Sequence, residues 1–283
     1  RPPERENAVA SGRDPIALKN PISIKAAVLR TNLLAGMLES AAWNKNRGAE
    51  GVHIFEVGNV YWFENERPEE RLTLGLLSTG LMPAAGWQEK PASTDFFLLK
   101  GALEAAMGSL RYEPVTFEDL NHAYFEEGQA LTLLCREQPV GRFGLLRKAL
   151  AAEFGFDQDV FAAEVDLGQL FAKQPKAFQY VPVPRFPAVS RDLSFLVDAS
   201  VTYQDVKKAL AKLAPPLLES FDLTDRFSGP SIASGKVSLS VRFRYRHPKR
   251  TLLAEDVDHV EQEILLHLKS VLGIQLREGK IDN

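Results

Sequence analysis

The sequence predicts an α+β protein built around antiparallel sheets and divided into two domains. Its 283 residues suit about two domains of ordinary size. Strand-like runs follow one another with only a few helical segments between them, instead of alternating strictly with helices. The stretch from Lys173 to Pro187, KQPKAFQYVPVPRFP, holds four prolines in fifteen residues. Proline fixes φ and disfavours helix in the residue before it. That stretch is therefore extended and connecting, and it separates domain 1–180 from domain 181–283.

The first domain opens with an irregular segment that covers residues 1–19 and reaches about Leu29. Thr31 can cap a helix running to Arg47, with Leu33, Leu34, Met37, Leu38 and Ala41 on one face and Gly48 as its stop. Strand-like runs follow at 52–63 and 71–80. A second helix fits Asp95 to Leu110, with Ser93, Thr94 and Asp95 as candidate caps. Two more strands, 129–136 and 139–146, flank a turn near Gln138, and a further strand covers Val160 to Asp166.

The second domain starts with a strand at 191–198. Thr202-x-x-Asp205 is a capping-box pattern, and the helix it opens carries Val206, Ala209, Leu210 and Leu213 on one face before Pro215-Pro216 stops it. A second strand spans about Glu219 to Phe227. The third, 236–246, alternates Val237, Leu239, Val241, Phe243 and Tyr245 with Ser238, Ser240, Arg242, Arg244 and Arg246. A long helix from about Ala254 to Leu272, ended by Gly273, and a short strand, Ile274 to Arg277, complete a ferredoxin-like βαββαβ order. Both helices must cover the apolar face, which leaves the face with three arginines open.

Composition excludes several classes. With 45% hydrophobic and 25% charged residues the chain is an ordinary globular protein. No apolar run approaches the ~18 residues needed to span a bilayer, so no membrane partner is expected. The polar start without Met reads as a fragment of a longer chain or a trimmed chain, and not as a targeting peptide. A single cysteine, Cys135, excludes an internal disulfide framework and a Cys-cluster metal site, and suits a reducing cytoplasm. The net charge of −3 argues against a globally basic nucleic-acid binder. Residues 184–283, however, hold 15 Lys+Arg against 13 Asp+Glu, whereas 1–183 hold 19 against 24. A mildly basic C-terminal third permits a local polyanion site. His259, Glu263 and His267 share a helical face, but the outer pair is about 12 Å apart along the axis at 1.5 Å per residue, so no metal site is expected. No catalytic triad or dyad is visible.

An open sheet face with basic and aromatic side chains suits single-stranded RNA, because bases stack on rings and phosphates meet arginine. From pattern alone the plainer reading prevails, a solvated face whose arginines pair with neighbouring carboxylates.

The segments RFPAVSRDLSFLVD, FDLTDRFSG, GKVSLSVRFRY, HPKRTL and GIQLR resemble the ferredoxin-fold anticodon-binding domain of the bacterial phenylalanyl-tRNA synthetase β subunit. NPIS, LRTNLLAGMLESAAWNKNRG, HIFEVGNVYW and DFFLLKGALEAAMGSL resemble that subunit's catalytic-like module, in the same order. The resemblance covers nearly all of residues 20–283. It implies an inactive, antiparallel class II synthetase-like domain followed by the anticodon-binding domain. It also implies a catalytic α subunit as partner in an (αβ)₂ heterotetramer that charges tRNA(Phe) in the cytoplasm. ATP and Mg²⁺ are implied for the holoenzyme and no cofactor for this chain. Catalytic residues are not expected here: Gly141-Arg142-Phe143-Gly144 with Arg147 lacks the spacing of an ATP-binding segment, and Glu56 lacks a matching arginine. The alternative is a free-standing RNA- or ligand-binding ferredoxin-like module fused to an inactive scaffold.

The resemblance further assigns RNA contact to Asp225, Phe227 and Ser238, the last on the same face as Arg242, Arg244 and Arg246. Phe227, followed by Gly229, would stack on an anticodon base while Asp225 accepts hydrogen bonds from guanine. The family usually has tyrosine at Phe227, so a hydroxyl hydrogen bond is unavailable. Leu34, Met37, Leu38 and Trp43 are candidates for subunit contact, with ordinary core packing as the other reading. Three departures from the family pattern stand out: Glu126-Glu127-Gly128, the segment 144–148, and Leu253 in place of a helix-capping Thr.

Overall fold

The computed structural model describes residues 9, 12–23, 27–82, 87, 90–112, 115–173, 175–180, 182–230 and 232–277. Parts of the expected irregular opening (1–8, 10, 11) and of the proline-rich connection (174, 181) lie outside the described residues. The chain divides into two compact units, Arg1–Phe178 and Gln179–Asn283.

Unit 1 contains strands β1 (Gly51–Glu64), β2 (Arg67–Met82), β3 (Ala92–Ser93), β4 (Val115–Asp119), β5 (Phe125–Cys135), β6 (Gln138–Leu146) and β7 (Val160–Asp166). Its helices are α1 (Leu34–Lys45), α2 (Phe96–Ser109), α3 (Lys148–Glu153) and α4 (Leu167–Phe171). The strands form one antiparallel sheet in the order β1-β2-β7-β6-β5-β4, with β3 beside β2. β1 and β2 pair without interruption up to Glu64↔Arg67, and the connecting Asn65 and Glu66 have φ of 50° and 63°. Positive φ at both central positions gives the turn whose twist matches the strands of a hairpin. Arg136 and Glu137, at 53° and 63°, join β5 to β6 in the same way.

β7 shows how the sheet is covered. Val160 and Ala162 belong to the core under α1, while Phe161, Ala163 and Val165 belong to the core around α2. Successive side chains point to opposite faces, so a strand buried on both reads as a continuous apolar run. Helix α1 lies close against β2 at Gly75, where a Cβ would sit 2.6 Å from Met37 Sδ and 3.2 Å from Leu33 Cβ. Its capping side chain is Asn32, not Thr31: Asn32 Oδ1 accepts the Ala35 N–H at 3.1 Å. The asparagine is fixed there because its Nδ2 donates to Val9 O at 3.0 Å. In α2, Asp95 is the candidate that caps, accepting the Leu98 N–H at 2.8 Å.

Unit 2 contains β8 (Val189–Asp198), α5 (Tyr203–Leu213), β9 (Leu218–Phe227), β10 (Lys236–Tyr245), α6 (Ala254–Leu272) and β11 (Gln275–Leu276). The antiparallel order β11-β8-β10-β9 is that of the expected βαββαβ fold. The capping box forms: Asp205 N–H donates to Thr202 Oγ1 at 3.2 Å, and Thr202 N–H to Asp205 Oδ2 at 2.9 Å. α5 ends on Ala214 in the left-handed region, φ 46°, ahead of the two prolines. At the start of α6, where Leu253 offers no side-chain cap, Asp256 accepts the Leu253 N–H at 2.9 Å and two N–H groups of Arg250 at 2.6 and 2.8 Å. Bonding to Arg250, first, and to that backbone N–H hold the Asp256 carboxyl well below the usual range. The core joins Phe195, Leu239, Val241 and Phe243 of the sheet to Val206 and Leu210 of α5 and Val257, Ile264 and Leu268 of α6. Both helices cover this one face of the sheet.

Candidate nucleic-acid interface

The other face of the unit 2 sheet is set by the phase of β10. Val237, Leu239, Val241, Phe243 and Tyr245 are buried, and Arg242 and Arg244 between them are exposed. Directly opposed residues in an antiparallel pair share a face. Phe221↔Phe243 and Leu223↔Val241 therefore point towards the core. The register then shifts, and the next pairs are Asp225↔Ser240 and Phe227↔Ser238. Thr224 is the extra residue of a β-bulge, and its Oγ1 donates to Ser240 O at 3.1 Å. A bulge re-aims the side chains beyond it. In a regular strand with Thr224 opposite Ser240, Asp225 and Phe227 would continue the core-facing series; with Thr224 bulged out, both lie on the open face.

Phe227 is 42% exposed. Its ring lies over Gly229, where a Cβ would come within 2.8 Å of Phe227 Cζ. Glycine thus lets the exposed ring fold back on its own chain. Asp225, also exposed, stands one cross-strand pair away. Ser238 is placed on this face as expected but is only 2% exposed, between its cross-strand neighbours Phe227 and Leu196. Its hydroxyl is too buried to meet a base directly.

The three arginines separate. Arg242 makes two hydrogen bonds of 2.8 Å to Asp192, its direct neighbour on β8. That bonding lowers the Asp192 pKa and raises that of Arg242. Arg246 lies just beyond β10 and donates to Glu219 Oε1 at 2.7 Å and to Phe186 O. Both are engaged within the protein, as a solvated, paired face would have them. Arg244 is opposed by Ser190 and Ser220, which carry no charge, and is exposed. It is the arginine of the three without a carboxylate partner among the described residues. The bulge has a faint trace in the sequence: the charged Asp225 falls in the same alternating phase as the apolar Phe221, Leu223 and Phe227.

In unit 1 the candidate contact residues divide as well. Leu34, Met37 and Leu38 are buried in the unit's own core, which removes them as surface for a partner. Trp43 is 56% exposed, with the Arg47 guanidinium 3.4 Å from its ring centroid. Glu56 is a paired strand carboxylate, bonded to Arg30. Gly141 and Gly144 lie within β6, so that segment is a strand and not a ligand loop. Cys135 is buried and its Sγ donates to Tyr112 O at 3.4 Å. Among the described residues no group of three His, Cys, Asp or Glu side chains could hold a metal ion.

Comparison with known proteins gives two family matches. Residues 2–167 match the phenylalanyl tRNA synthetase beta chain CLM domain, and residues 184–277 match the ferredoxin-fold anticodon binding domain. The chain is 34% identical over 264 residues to the phenylalanine–tRNA ligase beta subunit of Symbiobacterium thermophilum, covering 93% of this chain and 30% of the relative. It is 31% identical over 272 residues to that of Geobacillus kaustophilus, covering 93% and 33%. Against that of Methylococcus capsulatus it is 33% identical over 275 residues, covering 97% and 34%. The chain spans about a third of the length of the curated relatives it matches.

Proposed function

The chain belongs to the phenylalanyl-tRNA synthetase β-chain family, and from this we propose that it is the part of a phenylalanine–tRNA ligase that binds the tRNA(Phe) anticodon and supports a catalytic α subunit. The observation that carries the proposal is the juxtaposition of Phe227, backed by Gly229, with Asp225 on the open sheet face. A base can lie on the free side of the Phe227 ring, a contact worth ~1–3 kcal/mol. An ionised carboxylate only accepts hydrogen bonds. Asp225 therefore favours guanine, whose pairing edge offers two adjacent donors, N1–H and N2–H. Adenine at that edge offers one donor beside an acceptor, and the acceptor would face the carboxylate. Arg244 supplies the phosphate contact, while Arg242 and Arg246 hold the face in shape.

On this reading the aminoacylation chemistry belongs to the α subunit of an (αβ)₂ assembly in the cytoplasm, and unit 1 is its scaffold. ATP and magnesium go with that α subunit. A cavity in unit 1 lined by Arg13, Arg71, Arg142, Glu164 and Asp166 does not suit magnesium, because each of its two carboxylates lies against a guanidinium. Glu164 accepts the Leu33 N–H and Arg142, and Asp166 accepts the Gln169 N–H and pairs with Arg71.

Phe227→Ala tests the proposal. Affinity for a tRNA(Phe) anticodon stem-loop should fall more than about tenfold, in keeping with the lost stacking, with the unfolding temperature unchanged. Gly229→Ala should also weaken binding, because the added methyl must displace the ring. Unchanged affinity in Phe227→Ala would remove the stacking contact.

A further inference from the structure

We propose that a cavity on the α1-facing side of the unit 1 sheet binds a compact anion with two or more oxygens, held by Arg13, Arg71 and Arg142. The proposal is independent of the anticodon reading, which concerns unit 2. The cavity measures about 310 Å³ and its polar lining includes these three arginines, His122, Thr132 and Gln169. Its floor is a cross-strand row, Thr132↔Arg142↔Glu164, running over β5, β6 and β7.

Among the described residues the charges in this cavity do not balance. Glu164 Oε2 accepts Arg142 Nη2 at 3.0 Å, and its Oε1 accepts the Leu33 N–H at 3.0 Å. Asp166 Oδ2 pairs with Arg71 Nη1 at 2.8 Å, and its Oδ1 accepts the Gln169 N–H at 2.8 Å. Two carboxylates thus offset two guanidiniums in charge, although Asp166 Oδ2, close to Arg71 Nη1, is buried without a hydrogen bond among the described residues. Arg13 is the third guanidinium. It donates to Thr31 O at 3.0 Å and lies 4.0 Å from the Trp62 ring centroid, which the Arg71 guanidinium also overlies at 4.9 Å. Arg13 has no carboxylate partner among the described residues.

Burial, first, and then the nearby Arg142 guanidinium lower the Arg13 pKa; Arg71 pushes the same way and Glu164 opposes them. An arginine stays charged in proteins, so the half-buried site keeps a positive excess. His122 adds no charge near neutrality, since burial and Arg142 push it down to about 4. A cation would meet three guanidiniums, with each of the two carboxylates already beside one of them. An anion would meet the unused N–H donors of those guanidiniums, the Thr132 hydroxyl and the Gln169 carboxamide. Guanidinium forks match planar pairs of phosphoryl or carboxylate oxygens. The volume lies at the small end of ligand sites, which suits such a group and not a polymer.

The test is isothermal titration of the full 283-residue chain with inorganic pyrophosphate, inorganic phosphate and citrate, each against sodium chloride of matched ionic strength. At least one should bind saturably at one site per chain and raise the unfolding temperature with concentration. Preference for pyrophosphate over citrate would name a phosphoryl ligand, and the reverse a carboxylate. Arg13→Gln should weaken binding tenfold or more, and Thr132→Val, which keeps the side-chain shape and leaves the ion pairs untouched, by a few fold. Phe227→Ala should bind the anion as the parent chain does. The proposal is overturned by no response beyond the chloride control, by unchanged binding in both cavity variants, or by loss of binding in Phe227→Ala.

Discussion

Phe227 illustrates how much of a site rests on its immediate neighbours. The aromatic and the following glycine were legible in the sequence as a pair, but not the reason for the pairing, which is the 2.8 Å approach that a Cβ at Gly229 would make to the ring. The arginines were legible as residues of one face but not as individuals. Arg242 is held by Asp192, fifty positions away in the chain and opposite only because β8 and β10 pair in that register. A contrast follows for binding. Each phosphate contact adds ~0.7 to the slope of log affinity against log salt for a single strand. Arg244→Gln should reduce that slope by about this much, and Arg242→Gln by less, as measured by stem-loop titrations across salt concentrations. Equal slopes in all three proteins would mean that Arg244 meets no phosphate. His122 gives a second prediction at this scale. Its native pKa of about 4 lies below the ordinary value near 6.5. Between those values the unfolded chain takes up a proton that the native chain refuses, so this contribution to stability is complete above pH 6.5 and is lost as pH falls towards 4. Denaturant unfolding of unit 1 should show this loss, and His122→Asn should flatten it; superimposable pH profiles would contradict the assignment.

Among the elements, the long periodic ones followed their sequence signals closely. β7 and α6 have the predicted bounds, and β10 differs by one residue. The capping box of α5 forms from the two residues that announced it, so Thr202→Ala should cost about 1 kcal/mol of unit 2 stability, read from its denaturation midpoint. A loss under a few tenths would show that the cap contributes little. The elements that escaped the sequence are those whose signals are short or mixed. β4, VTFED, is a half-exposed edge strand, and α3 and α4 have six and five residues, too few to show a period. Asn32 prevailed over Thr31 as the cap of α1 because its amide also reaches Val9, a contact 23 positions away that no local rule contains. The bulge at Thr224 is the element-scale event that matters most. It reverses the phase of the end of β9 and so delivers Asp225 and Phe227 to the open face.

For the molecule as a whole, the two units have separate cores and separate chemistry. Unit 1 buries the apolar face of α1 in itself, so Leu34, Met37 and Leu38 stabilise its fold and the exposed Trp43 is what remains of the proposed contact set. Its charged cavity was invisible in the sequence because Arg13, Arg71, His122, Arg142 and Glu164 come from separate segments with no motif spacing. Unit 2 devotes one sheet face to its helices and leaves the other without them, which is why a resemblance spread over short segments could point to a definite surface. The proposed function requires that this surface read a base. The most direct test compares binding of the chain to the tRNA(Phe) anticodon stem-loop with binding to one whose first anticodon guanine is replaced by adenine. Weaker binding of the adenine form, with the difference abolished in Asp225→Asn, is the expected result. Equal affinity for the two stem-loops would contradict base recognition by Asp225 and Phe227.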